Sequence, residues 1–188
     1  MSGDPVLTQK ELLHLAMTDS RNGRHDEAII KLKRCITAEP ASAAAHHLLA
    51  AEYAEIGMLQ EATEEFEQVL SLDATSVAAR FQLGLTYMLA GDAGQAKRAW
   101  SAIAEIERDG PWDRFRAALE CLMSNEFTGA LKHFDAGLAM NFKNDALRRD
   151  MSRLRDKVRA ASPPDQPEAS EQQANELLLR NYTRGPKN

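Results

Sequence analysis

The feature that most restricts what this chain can fold into is a period of 34 residues. Ala28, Ala62, Ala96 and Ala130 stand 34 residues apart, and three further columns keep the same step. Five residues before the alanines are Gly23, Gly57, Gly91 and Asn125; four after them are Leu32, Phe66, Trp100 and Phe134; twelve before them are Ala16, Ala50, Gly84 and Ala118. A period of this length marks an array of small units, each able to bury its apolar face only against its neighbours. The columns also have a physical logic. Gly or Asn suits a left-handed position just past a helix end, where a Cβ is unfavourable. Small residues in two columns let paired helices approach closely, and the large residue one turn along the second helix fills the space between pairs.

Helices rather than strands carry the repeat. Ala and Leu dominate the chain and β-branched residues are sparse. Thr8 with Glu11 forms a capping-box pattern, Ser42 and Ser76 stand where N-caps belong, Pro111 suits a first turn, and Pro40 closes the first unit. Asp145 to Ala160 reads as a charged helix with Leu147, Met151, Leu154 and Val158 on one stripe, the pattern of a solvating cap.

With Leu49-Ala50-x-x-Tyr53 and Leu83-Gly84-x-x-Tyr87, these columns resemble the tetratricopeptide repeat family over about residues 9–144. Units two and three match best. Unit one departs at Asp19, and unit four at Cys121 and Asn125. The resemblance implies an all-α fold, an α-solenoid of about four helix pairs closed by a capping helix. The expected organisation is an N-terminal arm (1–8), repeats at 9–42, 43–76, 77–110 and 111–144, a capping helix (145–160), a Pro-rich linker (161–173) and a short amphipathic segment with tail (174–188).

The resemblance further implies a concave wall built from the first helix of each pair. Family offsets place Leu13 and Met17 there, with Lys10, Ser20 and Arg21; then His47; then Phe81, Leu85, Met88 and Leu89; then Trp112, Phe115, Leu119, Leu122 and Met123. Phe81, Leu85, Phe115 and Leu119 are expected to share one accessible apolar wall, and a contiguous apolar patch usually marks a binding site. A carboxylate clamp is excluded, since its positions hold Leu13, Met17, Leu48, Ala78 and Gln82, none able to pair with a carboxylate as Lys and Arg do. Leu177, Leu178, Leu179 and Tyr182 form a strip that could dock in the protein's own groove or in a neighbouring copy's.

The expected function is therefore an adaptor or scaffold that binds an apolar peptide or helix of another protein. Alternatives are a chaperone of type III secretion translocators, similar in being small, acidic and built of these repeats, and a self-assembling structural subunit. A net charge of -5 argues against nucleic acid as a partner. The first twenty residues lack a secretory pattern, no apolar run is long enough to span a bilayer, and a Cys35–Cys121 disulfide is not expected, so the cytoplasm is the expected location. His46 and His47 are adjacent and point about 100° apart on a helix, while His14, His25 and His133 lack ligand-spaced partners. No phosphate loop or nucleophile motif is present. No cofactor, metal or catalytic residue is expected.

Overall fold

A computed structural model describes residues 7–161. Those residues form ten helices: α1 (Gln9–Arg21), α2 (His25–Ala38), α3 (Ala43–Glu55), α4 (Leu59–Leu72), α5 (Val77–Leu89), α6 (Ala93–Ser101), α7 (Ile103–Ile106), α8 (Pro111–Met123), α9 (Phe127–Ala139) and α10 (Asp145–Ala161). They divide into two compact units, residues 1–86 and 87–188, with the division falling inside α5. The strip Leu177, Leu178, Leu179 and Tyr182 lies outside the described residues.

The turns show why the period holds. Gly23, Gly57 and Gly91 have φ of 71°, 81° and 82°, and Asn125 has φ 59°. At each turn the next amide donates back over the left-handed residue: Arg24 to the Asp19 carbonyl, Met58 to Tyr53, Asp92 to Tyr87 and Glu126 to Cys121, at 2.8–2.9 Å. A second bond closes each turn from inside, as from the Gly23 amide to the Ser20 carbonyl at 2.9 Å. Carbonyls that a helix end would leave unpaired are thus satisfied four times in the same way.

In the first unit α1 pairs with α2, α3 packs on α2, and α4 returns along α3. Ala16, Ala28, Leu32, Leu49, Tyr53 and Ala62 form one continuous core, extended by Leu12, Cys35 and Ala45. Asp19, which takes the column position of Tyr53, is buried as well. Its carboxylate is held by Lys31 and Arg24, and these cations keep it below the usual carboxylate range. A polar network therefore occupies the place that an aromatic ring fills in the next repeat.

In the second unit α8 and α9 form a hairpin and α10 packs on α9. Trp100, Phe115, Phe134, Met151 and Leu154 are fully buried, each contributing about 1.5–3 kcal/mol relative to exposure. The whole stripe of α10 is inside, Leu147 and Val158 included. Its arginines are engaged locally. Arg148 Nη2 donates to the Leu138 and Met140 carbonyls at 3.1 and 2.7 Å, capping α9, while Arg155 and Arg159 pair with Asp135.

One cap and one helix differ from expectation. The Thr8–Glu11 capping box is present, but the Ser42 hydroxyl makes no cap bond and instead accepts from Gln9 Nε2 at 2.9 Å, tying the start of α1 to the start of α3. The second helix of the third repeat is interrupted at Ala102, giving the separate pieces α6 and α7.

Candidate functional site

A cleft of about 130 Å³ opens in the first unit between α1 and α3, above α2. Ala16, Leu32 and Leu48 supply its apolar floor. Met17, 39% exposed, stands at the mouth with Ser20 and Arg21. Glu52 closes one side; its side chain is 6% exposed and one carboxylate oxygen lies 2.8 Å from His25 Nδ1. Among the described residues Arg21 has no ion-pair partner, so its guanidinium is available at the rim.

The 34-residue columns explain why a space survives here. Leu32 belongs to the column continued by Phe66, Trp100 and Phe134, and it is the smallest member. One repeat later Phe66 brings a ring to the equivalent position, and the His47 imidazole meets it edge-on at 5.6 Å. The cleft is the volume that a leucine leaves in a column otherwise occupied by aromatics. Its volume is on the order of one aliphatic side chain, such as leucine, isoleucine or methionine.

Met17, Ser20 and Arg21 line this cleft, but the expected apolar wall is not accessible. Phe81, Phe115 and Leu119 are 0% exposed, Leu122 is 2% and Leu85 is 5%. The physical reason is visible at Phe115. Gly137 of α9 has no side chain, and the Phe115 ring occupies that space: a Cβ there would lie 2.6 Å from Phe115 Cε1. Phe142 then meets Phe115 and Trp112 edge-on at 5.9 and 5.2 Å. Repeat offsets fix the side of the helix a residue faces, and they do not fix what covers that side. Leu13, His47, Met88, Leu89, Trp112 and Met123 are half-buried. Leu13 packs against the first-unit core.

Glu52, Leu32 and Leu48 were not assigned to a groove from sequence. Glu52 carried no recognisable signal, whereas the shortfall of Leu32 in an aromatic column was a readable one. Burial holds His47 below the ordinary histidine value, with Gln82 pulling the other way, so its imidazole resists protonation. His46 is structural: Nδ1 is 2.5 Å from Glu65 and Nε2 is 3.0 Å from the Pro40 carbonyl. Burial pushes the Cys35 and Cys121 thiols up, and both are free. Among the described residues no three His, Cys, Asp or Glu side chains are grouped to hold a metal ion, and no helix is long and apolar enough to cross a membrane.

No curated protein matches the chain. Among solved structures, the crystal structure of MamA is similar with a TM-score of 0.59 at 24% identity, covering 70% of this chain and 77% of that one. A mutant form of MamA is similar with a TM-score of 0.55 at 17% identity, covering 74% and 81%. At these identities the likeness concerns the fold. Residues 53–119 match the tetratricopeptide repeat family model, and left-handed turns and helix hairpins recur every 34 residues through the described part of the chain.

Proposed function

We propose that the chain is a protein-interaction scaffold that holds an apolar peptide or helix of another protein by seating one aliphatic side chain between α1 and α3. The observation that supports this reading is the 130 Å³ cleft with an apolar floor and a free cation at its mouth. Burying an anchor there is worth about 1.5–3 kcal/mol before the costs of association. One anchor therefore supports a weak, exchangeable contact, and a useful affinity draws on the neighbouring half-exposed positions Leu13 and Met17. Repeat folds of this kind ordinarily present extended surfaces to other proteins. The reading keeps the chain in the cytoplasm and assigns it no catalysis.

The test uses fluorescently labelled nonapeptide pools with randomised flanks and a fixed central Leu, Phe or Lys, titrated into the full-length chain by anisotropy. The central-Leu pool is expected to bind, the Phe and Lys pools to bind at least tenfold more weakly, and Met17→Glu or Leu48→Glu to abolish the Leu-pool signal. Binding of the Leu pool that survives both substitutions removes the cleft from the function.

A further inference from the structure

Resting on that reading, we propose that the partner is an acidic amphipathic helix whose aliphatic anchor enters the cleft between α1 and α3 while two of its carboxylates meet Lys10 and Arg21. Lys10, Leu13, Met17 and Arg21 follow one another in steps of three or four residues along α1, so they share one helical face. Met17 and Arg21 line the cleft, which fixes the side on which this face lies. Lys10 and Arg21 are exposed, and among the described residues neither has an ion-pair partner. The two cations bracket the anchor site unevenly: Lys10 stands two turns and about 10 Å before Met17, Arg21 one turn and about 6 Å after it. The anions near them are already engaged, Glu11 with Thr8, Asp19 with Lys31 and Arg24, and Glu52 with His25, while Glu55 holds an interaction as well. Across the cleft, the face of α3 that carries Leu48 continues as Ala44 and Ala51, small and uncharged. The unpaired charge on this face is thus positive, although the chain as a whole carries -5. Complementary charge of this kind sets the register and orientation of a ligand more than its affinity. A helix fits better than an extended strand because it satisfies its own backbone: apart from Arg21 and Glu52, Ser20 is the one polar side chain lining the cleft, so an extended chain's amides would find few partners there.

The probe is a fluorescent Ala/Gln-based helix of about 20 residues with one central leucine. It is titrated into the full-length chain by anisotropy at low ionic strength. One version carries Glu seven residues before the leucine and four after it, matching a partner parallel to α1; a second carries Glu four before and seven after, matching an antiparallel one. One of the two is expected to bind about tenfold more tightly than the same helix with Gln at both places, about threefold from each carboxylate, and to lose that margin at high salt. In the tighter version, Lys at the place nearer the leucine is expected to be rescued by Arg21→Glu and not by Lys10→Glu, and Lys at the farther place by Lys10→Glu and not by Arg21→Glu. Both cations are exposed, so reversing them leaves the core intact. A peptide with alanine in place of the leucine, or with proline beside it, is expected not to bind, the one lacking the anchor and the other the helix. Equal binding of the Glu and Gln versions, rescue without regard to place, or tight binding by the alanine or proline version overturns the proposal. If the central-Leu pool binds and is lost on Leu48→Glu while the carboxylates add nothing or no helix binds, this inference fails and the scaffold reading stands. If neither the pool nor any helix binds, both fail.

Discussion

Replacing Gly137 by alanine tests whether the aromatic residues of the fourth repeat are truly sealed. In a helix interior Gly→Ala ordinarily stabilises by about 0.5–1 kcal/mol, because the chain loses less backbone entropy on folding. At Gly137 the new Cβ would sit 2.6 Å from Phe115 Cε1 and 2.9 Å from Cδ1. Phe115 is fully buried and braced by Phe142, so the ring has nowhere to retreat. Overpacking of this kind costs about 1–3 kcal/mol. The clash outweighs the propensity gain, leaving a net loss of about 1–2 kcal/mol. For a chain of this size that lowers the melting temperature by about 2–8 °C. Gly94 is the control: its Cβ would meet only Asp92 Oδ1 at 3.4 Å and Arg98 Nη2 at 3.9 Å, both ends of flexible side chains. Gly94→Ala is expected to raise the melting temperature. Thermal unfolding followed by circular dichroism reads both, and a double-mutant cycle with Phe115→Leu should give a coupling of at least about 0.5 kcal/mol. If Gly137→Ala melts higher, as Gly94→Ala does, Phe115 is not packed on α9 and an open wall at repeat four is restored.

Other expected outcomes follow from the same coordinates. Gly57→Ala meets no atom within 4 Å yet has φ 81°, so its cost of about 1–2 kcal/mol is purely conformational, while Asn125→Gly at φ 59° should stabilise; urea unfolding measures both. Arg148→Ala removes both side-chain bonds to the end of α9 and should cost about 1–2 kcal/mol, with faster amide exchange in α10 and only partial recovery in Arg148→Lys. The His47 imidazole takes its proton at lower pH in the folded chain than the usual value near about 6.5. The unfolded chain then binds more protons, so stability is intact above that value and declines as pH falls through it. Urea midpoints at pH 7.5 and 5.5 should differ less in His47→Gln than in the unaltered chain.

Much of the fold was legible because it depends on backbone geometry that recurs. A left-handed residue every 34 positions forces a chain reversal, and an alanine five residues later fixes where two helices touch. Gly23 and Ala28 therefore carry their roles openly. Exposure was not legible in the same way. Phe81 and Phe115 are in phase with a concave wall, but phase along a helix does not specify depth. At Phe115 depth is decided by Gly137, more than twenty residues away, and by Phe142 in the link before α10. Asp19 shows the converse. It broke the aromatic column, and its burial depends on Lys31 and Arg24, which no periodic pattern announces. The Ala102 break between α6 and α7 likewise had no signal, since neither Gly nor Pro interrupts that stretch before Gly110.

The repeat itself suggests the most discriminating change at the cleft. Leu32→Phe gives the first repeat the residue that its column holds at Phe66 and Phe134. The ring adds three heavy atoms, and the cleft above Leu32 offers 130 Å³. Filling therefore prevails over overpacking. Burying three more carbons at about 0.8 kcal/mol each sets an upper bound of about 2.4 kcal/mol on the gain. The surface charge, Arg21 and Met17 are untouched, so any loss of binding is attributable to lost volume rather than to an altered rim. Stability is expected to hold or rise, and central-Leu peptide binding to fall at least tenfold, whereas the volume-conserving Leu32→Met should leave both unchanged. A stable Leu32→Phe chain that binds the peptides undiminished would mean that no side chain enters this space, whatever the rim contributes.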